Sequence, residues 1–245
     1  MAEIDKVRVI LVGDSGVGKS SLTHLIAHNE SLTRPSWTVG CSVEVKLHEF
    51  KEGTPIQKTY FIELWDIGGS LSHKNARGVF YNPTHGIILV HDLTNRKSNE
   101  NLRDWLIEIL NKDGKDTMKN NIDIDFDPEQ FFGSTQIPIL VIGTKMDLLD
   151  EKRRQKHLHT TDGIAEQCGA EEICLNSHDV RSLAAGTTDA VKLARFFDKV
   201  IEKKYYSKES GIFAAEKRKL AYSYPNVPVA STTSELPQRQ FNTQL

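Results

Sequence analysis

The sequence predicts an α/β fold, a doubly wound and mostly parallel six-stranded sheet with helices on both faces. Two patterns carry that prediction. Short apolar runs alternate with amphipathic stretches along the chain, the rhythm of repeated strand–helix units. Two of the runs, residues 86–91 (Gly-Ile-Ile-Leu-Val-His) and 137–143 (Ile-Pro-Ile-Leu-Val-Ile-Gly), are continuously apolar and rich in β-branched side chains. That is the mark of strands covered on both faces.

The elements follow in order. Residues 6–13 (Lys-Val-Arg-Val-Ile-Leu-Val-Gly) read as a buried first strand, and residues 20–28 place Leu22, Leu25 and Ile26 at helical spacing. Residues 43–50 and 59–65 alternate apolar and polar side chains around Lys51-Glu-Gly-Thr-Pro55, which makes them a hairpin with a fairly long turn. Helical patterns fall at 98–110, 155–168 and 185–204, and a last short strand is expected at 172–175. Two segments break the rhythm. Residues 111–136 carry six acids against three lysines and are too long for an ordinary connection, so they read as either an ordered surface excursion or a partly mobile segment. The stretch after Tyr206 mixes Ser, Thr, Pro, Gln and Asn with the basic cluster Lys217-Arg218-Lys219, and is expected to be a disordered tail.

Bulk properties exclude several classes. A chain of 245 residues holds one sizeable α/β domain with appendages. Hydrophobic content of 38%, charged content of 26% and net charge −2 describe a soluble protein with no bias toward nucleic acid or an anionic membrane. No run approaches the roughly 18 apolar residues of a membrane span. The start of the chain, with Glu3 and Asp5, has neither the basic residues nor the apolar core of a signal peptide. Cys41, Cys168 and Cys174 lack CxxC spacing and are expected to be free thiols in a reducing cytoplasm.

Chemistry enters at Gly13-Asp14-Ser15-Gly16-Val17-Gly18-Lys19-Ser20, which fits GxxxxGK[ST] after a buried strand and before a helix. Glycines let the backbone turn inward so that successive N–H groups point at phosphate oxygens, and the following helix adds its positive dipole end. Lys19 is placed to reach the β- and γ-phosphates, and the Ser20 hydroxyl to ligate Mg²⁺. The fold class is therefore that of a P-loop NTPase. A glycine turn with a chance lysine is the competing reading, and the strand–loop–helix context argues against it.

The base is chosen elsewhere. Gly143-Thr144-Lys145-Met146-Asp147 lies at the end of an apolar strand, where doubly wound sheets bind ligands. The Asp147 carboxylate can accept from both N1–H and the 2-amino group of guanine, a donor pair that adenine lacks, while the Lys145 stem can lie across the ring. Thr38, 18 residues after Ser20, can ligate Mg²⁺ through its hydroxyl and meet a γ-phosphate through its N–H. Asp66 ends the third strand and can hold Mg²⁺ through water, with the Gly69 N–H directed at the γ-phosphate. Together these positions form a γ-phosphate sensor whose loops order in one nucleotide state and loosen in the other.

The sequence resembles the Ras superfamily of small GTPases, in particular its Rab branch. The resemblance rests on the phosphate loop, Thr38-Val-Gly40, Trp65-Asp66, residues 86–92 and Lys145-Met-Asp147, all in the family's order over about residues 6–204. It implies a GTP-binding domain over residues 1–205 with an insert at 111–136 and a tail at 206–245. It implies nucleotide contacts from Ser15, Gly16, Val17, Gly18, Lys19, Ser20 and Ser21, and guanine contacts from Lys145, Met146 and Asp147. Asn176-Ser177-His178 stands where the family reads Ser-Ala-Lys, which directs the Ser177 N–H at the guanine O6. GTP/GDP and Mg²⁺ are the implied ligands, and effectors or regulators at the switch regions the implied partners. Self-association is left open.

Departures qualify this. The family's catalytic glutamine should stand at position 70, and this chain has Ser70. A serine is too short to orient the attacking water, so slow intrinsic hydrolysis is expected, with catalysis resting on Lys19, Thr38 and Gly69. The alternative is a non-cycling interaction module stabilised by nucleotide. The last cysteine is Cys174, so no carboxy-terminal prenyl anchor is expected and membranes are reached only through partners. Thr144 replaces the Asn of NKxD, which in the family helps tie the base loop to the phosphate loop, and is expected to loosen nucleotide affinity. Ser31 replaces the aromatic ring seven residues before Thr38, with the same expected sense. His73 and His85 are expected to be solvated loop histidines.

Overall fold

The computed structural model describes residues 5–112, 136–152, 154 and 163–207. Residues 113–135, most of the expected helix at 155–168, and the expected tail beyond residue 207 lie outside the described residues. The elements are β1 (Lys6–Val12), α1 (Lys19–His28), β2 (Cys41–Phe50), β3 (Lys58–Ile67), α2 (Lys74–Arg77), β4 (Gly86–Asp92), α3 (Arg96–Glu100), α4 (Leu102–Lys112), β5 (Ile139–Thr144), α5 (Ile164–Gln167), β6 (Glu171–Cys174) and α6 (Thr188–Ile201). The six strands form one sheet in the order β2-β3-β1-β4-β5-β6. Only the β2–β3 hairpin is antiparallel, with Val43 opposite Trp65. The other pairs are parallel, in registers such as Leu11 with Asp66 and Asp92 with Thr144.

Alternation along the central strands builds two cores. Val7, Val9 and Leu11 of β1 face one side and pack with Leu22 and Ile26 of α1 and Leu193 and Phe197 of α6. Ile10 and Val12 face the other and meet Leu102, Trp105, Leu106 and Ile109 of α4. Because both faces are covered, the middle strands carry no polar side of their own.

Caps move several predicted boundaries. The pattern at 98–110 resolves into α3 and α4, divided at Asn101, and α3 starts early because the Asn95 side chain accepts the Lys97 N–H. The helix expected over 185–204 starts at Thr188, because the Thr187 hydroxyl accepts the Ala190 N–H at 3.2 Å. Past α6 the chain winds on as a π-helical turn over Glu202–Tyr206. Tyr206, expected at the head of the tail, stacks on Phe50 with ring centroids 5.2 Å apart and shares a 3.0 Å hydrogen bond with the Tyr60 hydroxyl.

His85 is corrected more sharply. His73 is exposed as expected, but His85 closes the amino-terminal edge of the sheet, where its Nδ1 accepts the Arg8 N–H at 2.9 Å. Burial, with help from the Lys204 and Arg8 cations, pushes the His85 imidazole down to about 4. The folded state therefore holds His85 neutral while an unfolded histidine, near 6.5, has already taken up a proton. Its contribution to stability is complete above about pH 6.5 and is lost as pH falls toward 4. Thermal midpoints measured at steps across pH 7.5 to 4.5 should decline below about pH 6.5, and His85→Asn should flatten that decline.

Candidate functional site

Parallel strands end at one edge, so the loops after β1, β3, β4, β5 and β6 gather there. The phosphate loop is the first. Gly13 takes φ +148°, and a Cβ on it would fall 2.0 Å from the Val90 carbonyl oxygen, so the loop can leave β1 only through a glycine. Gly18 then opens α1 in the left-handed region at φ +95°. Val17 is buried in the core, and its carbonyl accepts the Thr144 hydroxyl rather than lining the cavity. Ser15, Gly16, Gly18, Lys19, Ser20 and Ser21 line a cavity of about 290 Å³, closed on its other sides by Pro35, Trp37, Thr38, Gly69 and Ser70.

Lys19 lies beneath this cavity with 6% exposure, its Nζ donating to the Gly13 and Asp14 carbonyls at 2.9 and 2.8 Å. Burial outweighs the nearby Asp66 and Asp14 carboxylates and pushes the ammonium down to about 8. An anion in the cavity would raise it again.

The three oxygens expected around Mg²⁺ meet in a triangle. Ser20 Oγ donates to Asp66 Oδ2 at 2.5 Å, Thr38 Oγ1 donates to the same oxygen at 2.9 Å, and the two hydroxyls are 2.9 Å apart. The other Asp66 oxygen, Oδ1, is buried without a hydrogen-bond partner. A hard, all-oxygen donor set with an orphaned carboxylate oxygen fits Mg²⁺. The two switch segments close on each other at the same point. The Gly68 N–H donates to the Gly40 carbonyl at 2.9 Å. A Cβ on Gly69 would lie 2.5 Å from the Gly13 oxygen, so the third strand's end approaches the phosphate loop at backbone distance. Ser70 is half-buried at the cavity wall, and its hydroxyl is 2.7 Å from that of Ser72.

The base side is built from β4, β5 and β6. Lys145 sits at φ +61°, strained for a side-chain-bearing residue, and its Nζ donates to Asp92 Oδ2 at 2.6 Å. Burial raises the Asp92 carboxyl, but Lys145 and the Thr94 hydrogen bonds prevail and hold it below the usual range. The Met146 N–H donates to the Leu175 carbonyl at 3.2 Å, and Asp147 stands exposed on the short turn Met146–Leu148. Arg154 braces that turn through the Met146 and Asp147 carbonyls at 3.1 and 2.9 Å. After β6, Asn176 Oδ1 accepts the His178 N–H at 2.9 Å and Ser177 is buried.

Thr144 keeps a tie to the phosphate loop without the usual amide. Its hydroxyl lies 2.5 Å from the Val17 carbonyl and 3.0 Å from the His91 carbonyl, so the base strand is tied directly to the phosphate loop. A threonine suffices because the carbonyls are within reach of its short branch. Position 31 carries no ring over the base side; Ser31 Oγ is 3.5 Å from His178 Nδ1.

Sequence reasoning missed Asp14. It occupies a position the motif leaves free, yet its carboxylate accepts from Asn101 Nδ2 at 2.7 Å and Trp105 Nε1 at 2.9 Å. The Arg77 guanidinium lies 3.7 Å from the centre of the same Trp105 ring and pairs with both oxygens of Glu108. The phosphate loop and α2, just past Ser70, thus rest on one helix. Nothing local in the sequence signals contacts spanning 87 and 91 residues.

The model of the Ras family matches residues 8–204. Rab-like protein 3 of Mus musculus is 56% identical over 213 residues, covering 85% of this chain and 90% of its own. Its Homo sapiens counterpart is 55% identical over the same shares. The small GTPase LIP1 of Arabidopsis thaliana is 30% identical, over 83% of this chain and 64% of its own. The loop, the oxygen triangle and the base turn at one sheet edge accord with these matches: the chain belongs to the Ras family of small GTPases, GTP-binding switches that engage effectors and regulators.

Proposed function

We propose that this chain is a Rab-like guanine-nucleotide switch that binds GTP firmly enough to signal its presence and hydrolyses it slowly, acting through effectors in signalling or intracellular traffic. The observation that carries the reading is the Ser20–Thr38–Asp66 triangle beside Lys19, with a serine at position 70. Ser20 and Thr38 would hold Mg²⁺ directly and Asp66 through water; when bound, the ion neutralises charge on the β- and γ-oxygens. The Lys19 ammonium meets the β- and γ-phosphates, and the Thr38 and Gly69 N–H groups meet the γ-phosphate. Asp147 reads the guanine edge, Lys145 covers its face, and the Ser177 N–H meets O6.

What position 70 lacks is a side chain long enough to hold the attacking water. The Ser70 hydroxyl turns to Ser72 and is too short to reach across the cavity. The same observation favours a second reading, a non-cycling interaction module stabilised by nucleotide. Exchange and hydrolysis rates, with the nucleotide bound after purification, separate the two.

Two measurements test the site. A fluorescent GTP analogue should be displaced by GTP and not by ATP, and Asp147→Ala should weaken guanine binding about a hundredfold, the loss of two hydrogen bonds to a charged acceptor. Single-turnover hydrolysis by the purified chain should run well below that of glutamine-bearing Rab proteins, and Ser70→Gln should raise it by about tenfold or more. Wild-type hydrolysis at the rate of those proteins would overturn the slow-switch reading.

A further inference from the structure

One cluster of metal-ligating side chains among the described residues lies outside the nucleotide site. His24 and His28 are one helical turn apart on α1 and project on the same face, the spacing by which a helix offers two imidazoles to one ion. Glu44 of β2 faces them, and ligand atoms of the three all lie within 4.8 Å of one another. His28 Nε2 is 3.0 Å from Glu44 Oε2, and His24 Nδ1 is 3.6 Å from Glu44 Oε1. A tetrahedral ion with bonds of about 2.0–2.1 Å places its ligand atoms roughly 3.3 Å apart, close to the separation of each histidine nitrogen from the carboxylate oxygen nearest it.

We propose that His24, His28 and Glu44 form a binding site for a first-row divalent cation of the zinc type. Two imidazoles and a carboxylate suit Zn²⁺, Co²⁺ or Ni²⁺ and not Mg²⁺ or Ca²⁺, which take oxygen ligands. Glu44 Oε2 is buried and makes no hydrogen bond of proper geometry although His28 Nε2 stands beside it, so acceptor faces ligand with no proton well placed between them. The neighbouring cation on that face of β2, Lys46, does not fill the gap, because its Nζ donates to the Ile26 carbonyl at 3.0 Å. His28 is exposed, which leaves an entry path and a fourth position for water.

The position gives the ion a structural consequence. It cross-links the end of α1 to the start of β2, the two elements flanking the segment that carries Thr38. Closing that loop by a metal clip stabilises the fold in the way a short cross-link does.

The test uses the full chain loaded with Mg²⁺ and GDP, freed of other metals, and titrated with Zn²⁺ against a chromophoric chelator. One equivalent should bind with micromolar or tighter affinity, raise the thermal midpoint, and give a four-coordinate absorption spectrum when Co²⁺ replaces Zn²⁺. His28→Ala and His24→Ala should each weaken that binding about tenfold or more while circular dichroism and bound GDP stay unchanged. Absence of stoichiometric Zn²⁺ binding overturns the proposal. So does binding that survives in both variants, which places the ion at the thiols or the nucleotide site instead.

Discussion

Thr144 places one hydroxyl between the carbonyls of Val17 and His91, and through it β4, β5 and the phosphate loop share a single contact. Much of the site depends on restraints of this kind. A phosphate loop is glycine-rich backbone with little side chain to pack, so its shape must be imposed by neighbours. Here Thr144 holds its middle, the Asp14 carboxylate is gripped by Asn101 and Trp105, and Gly13 is pressed against Val90. Each hydrogen bond contributes only about 1 kcal/mol net, but leaving its partner buried and unpaired costs more. Restraint from several sides turns a permissive backbone into a preorganised anion cradle.

The switch segments meet through polar contacts to a charged group. Ser20, Thr38 and Asp66 converge through hydrogen bonds to one carboxylate oxygen, and Gly68 and Gly69 allow backbones to meet where any Cβ would collide. The large apolar side chain beside this junction, Trp37, is 84% exposed and does not seal it. An arrangement held by polar contacts to a carboxylate responds strongly to a ligand's charge, which a sealed hydrophobic contact would not. Behind it, α2 is firmer. Arg77 and Glu108 form a nearly buried bidentate pair, with Tyr81 donating to the same carboxylate, and removing one partner of such a pair typically costs about 3–5 kcal/mol. Loose segments in front of a rigid support is the division of labour a switch requires.

The sequence was legible where chemistry is local. Continuous β-branched runs marked the central strands, and GxxxxGKS and TKMD marked loops whose function depends on backbone turns and one or two side chains. The Thr38 and Asp66 hydroxyl and carboxylate could be placed because strand ends converge in a doubly wound sheet. Asp14 was missed, His85 misread and the direct contact of Thr144 with the phosphate loop unforeseen for a common reason: their partners lie 53 to 127 residues away. No periodicity encodes that Trp105 will turn its indole toward the phosphate loop, or that the Thr144 branch will suffice where an amide is usual. Helix ends shifted for the opposite reason, since the Asn95 and Thr187 caps act over two or three residues and override the apolar pattern.

Binding and cutting place separate demands on this edge of the sheet. Holding a nucleotide needs fixed donors and acceptors, and the proposed function assigns those to backbone N–H groups, Lys19, Asp147 and the oxygen triangle. Cutting needs one further atom held at the far side of the γ-phosphate, and positioning of that kind is worth several kcal/mol in a barrier. On the proposed reading no group of the binding apparatus substitutes for it, because each is assigned to the phosphates, the metal or the base. Ser70 Oγ is engaged with Ser72, and the chain beyond turns into α2, away from the cavity. On the proposed reading, loss of the glutamine would leave the γ-phosphate sensor intact while removing its timer. The lifetime of the GTP state would then be governed by exchange and by whatever group a partner supplies, the division by which an arginine from another protein governs turnover in related phosphoryl-transfer sites.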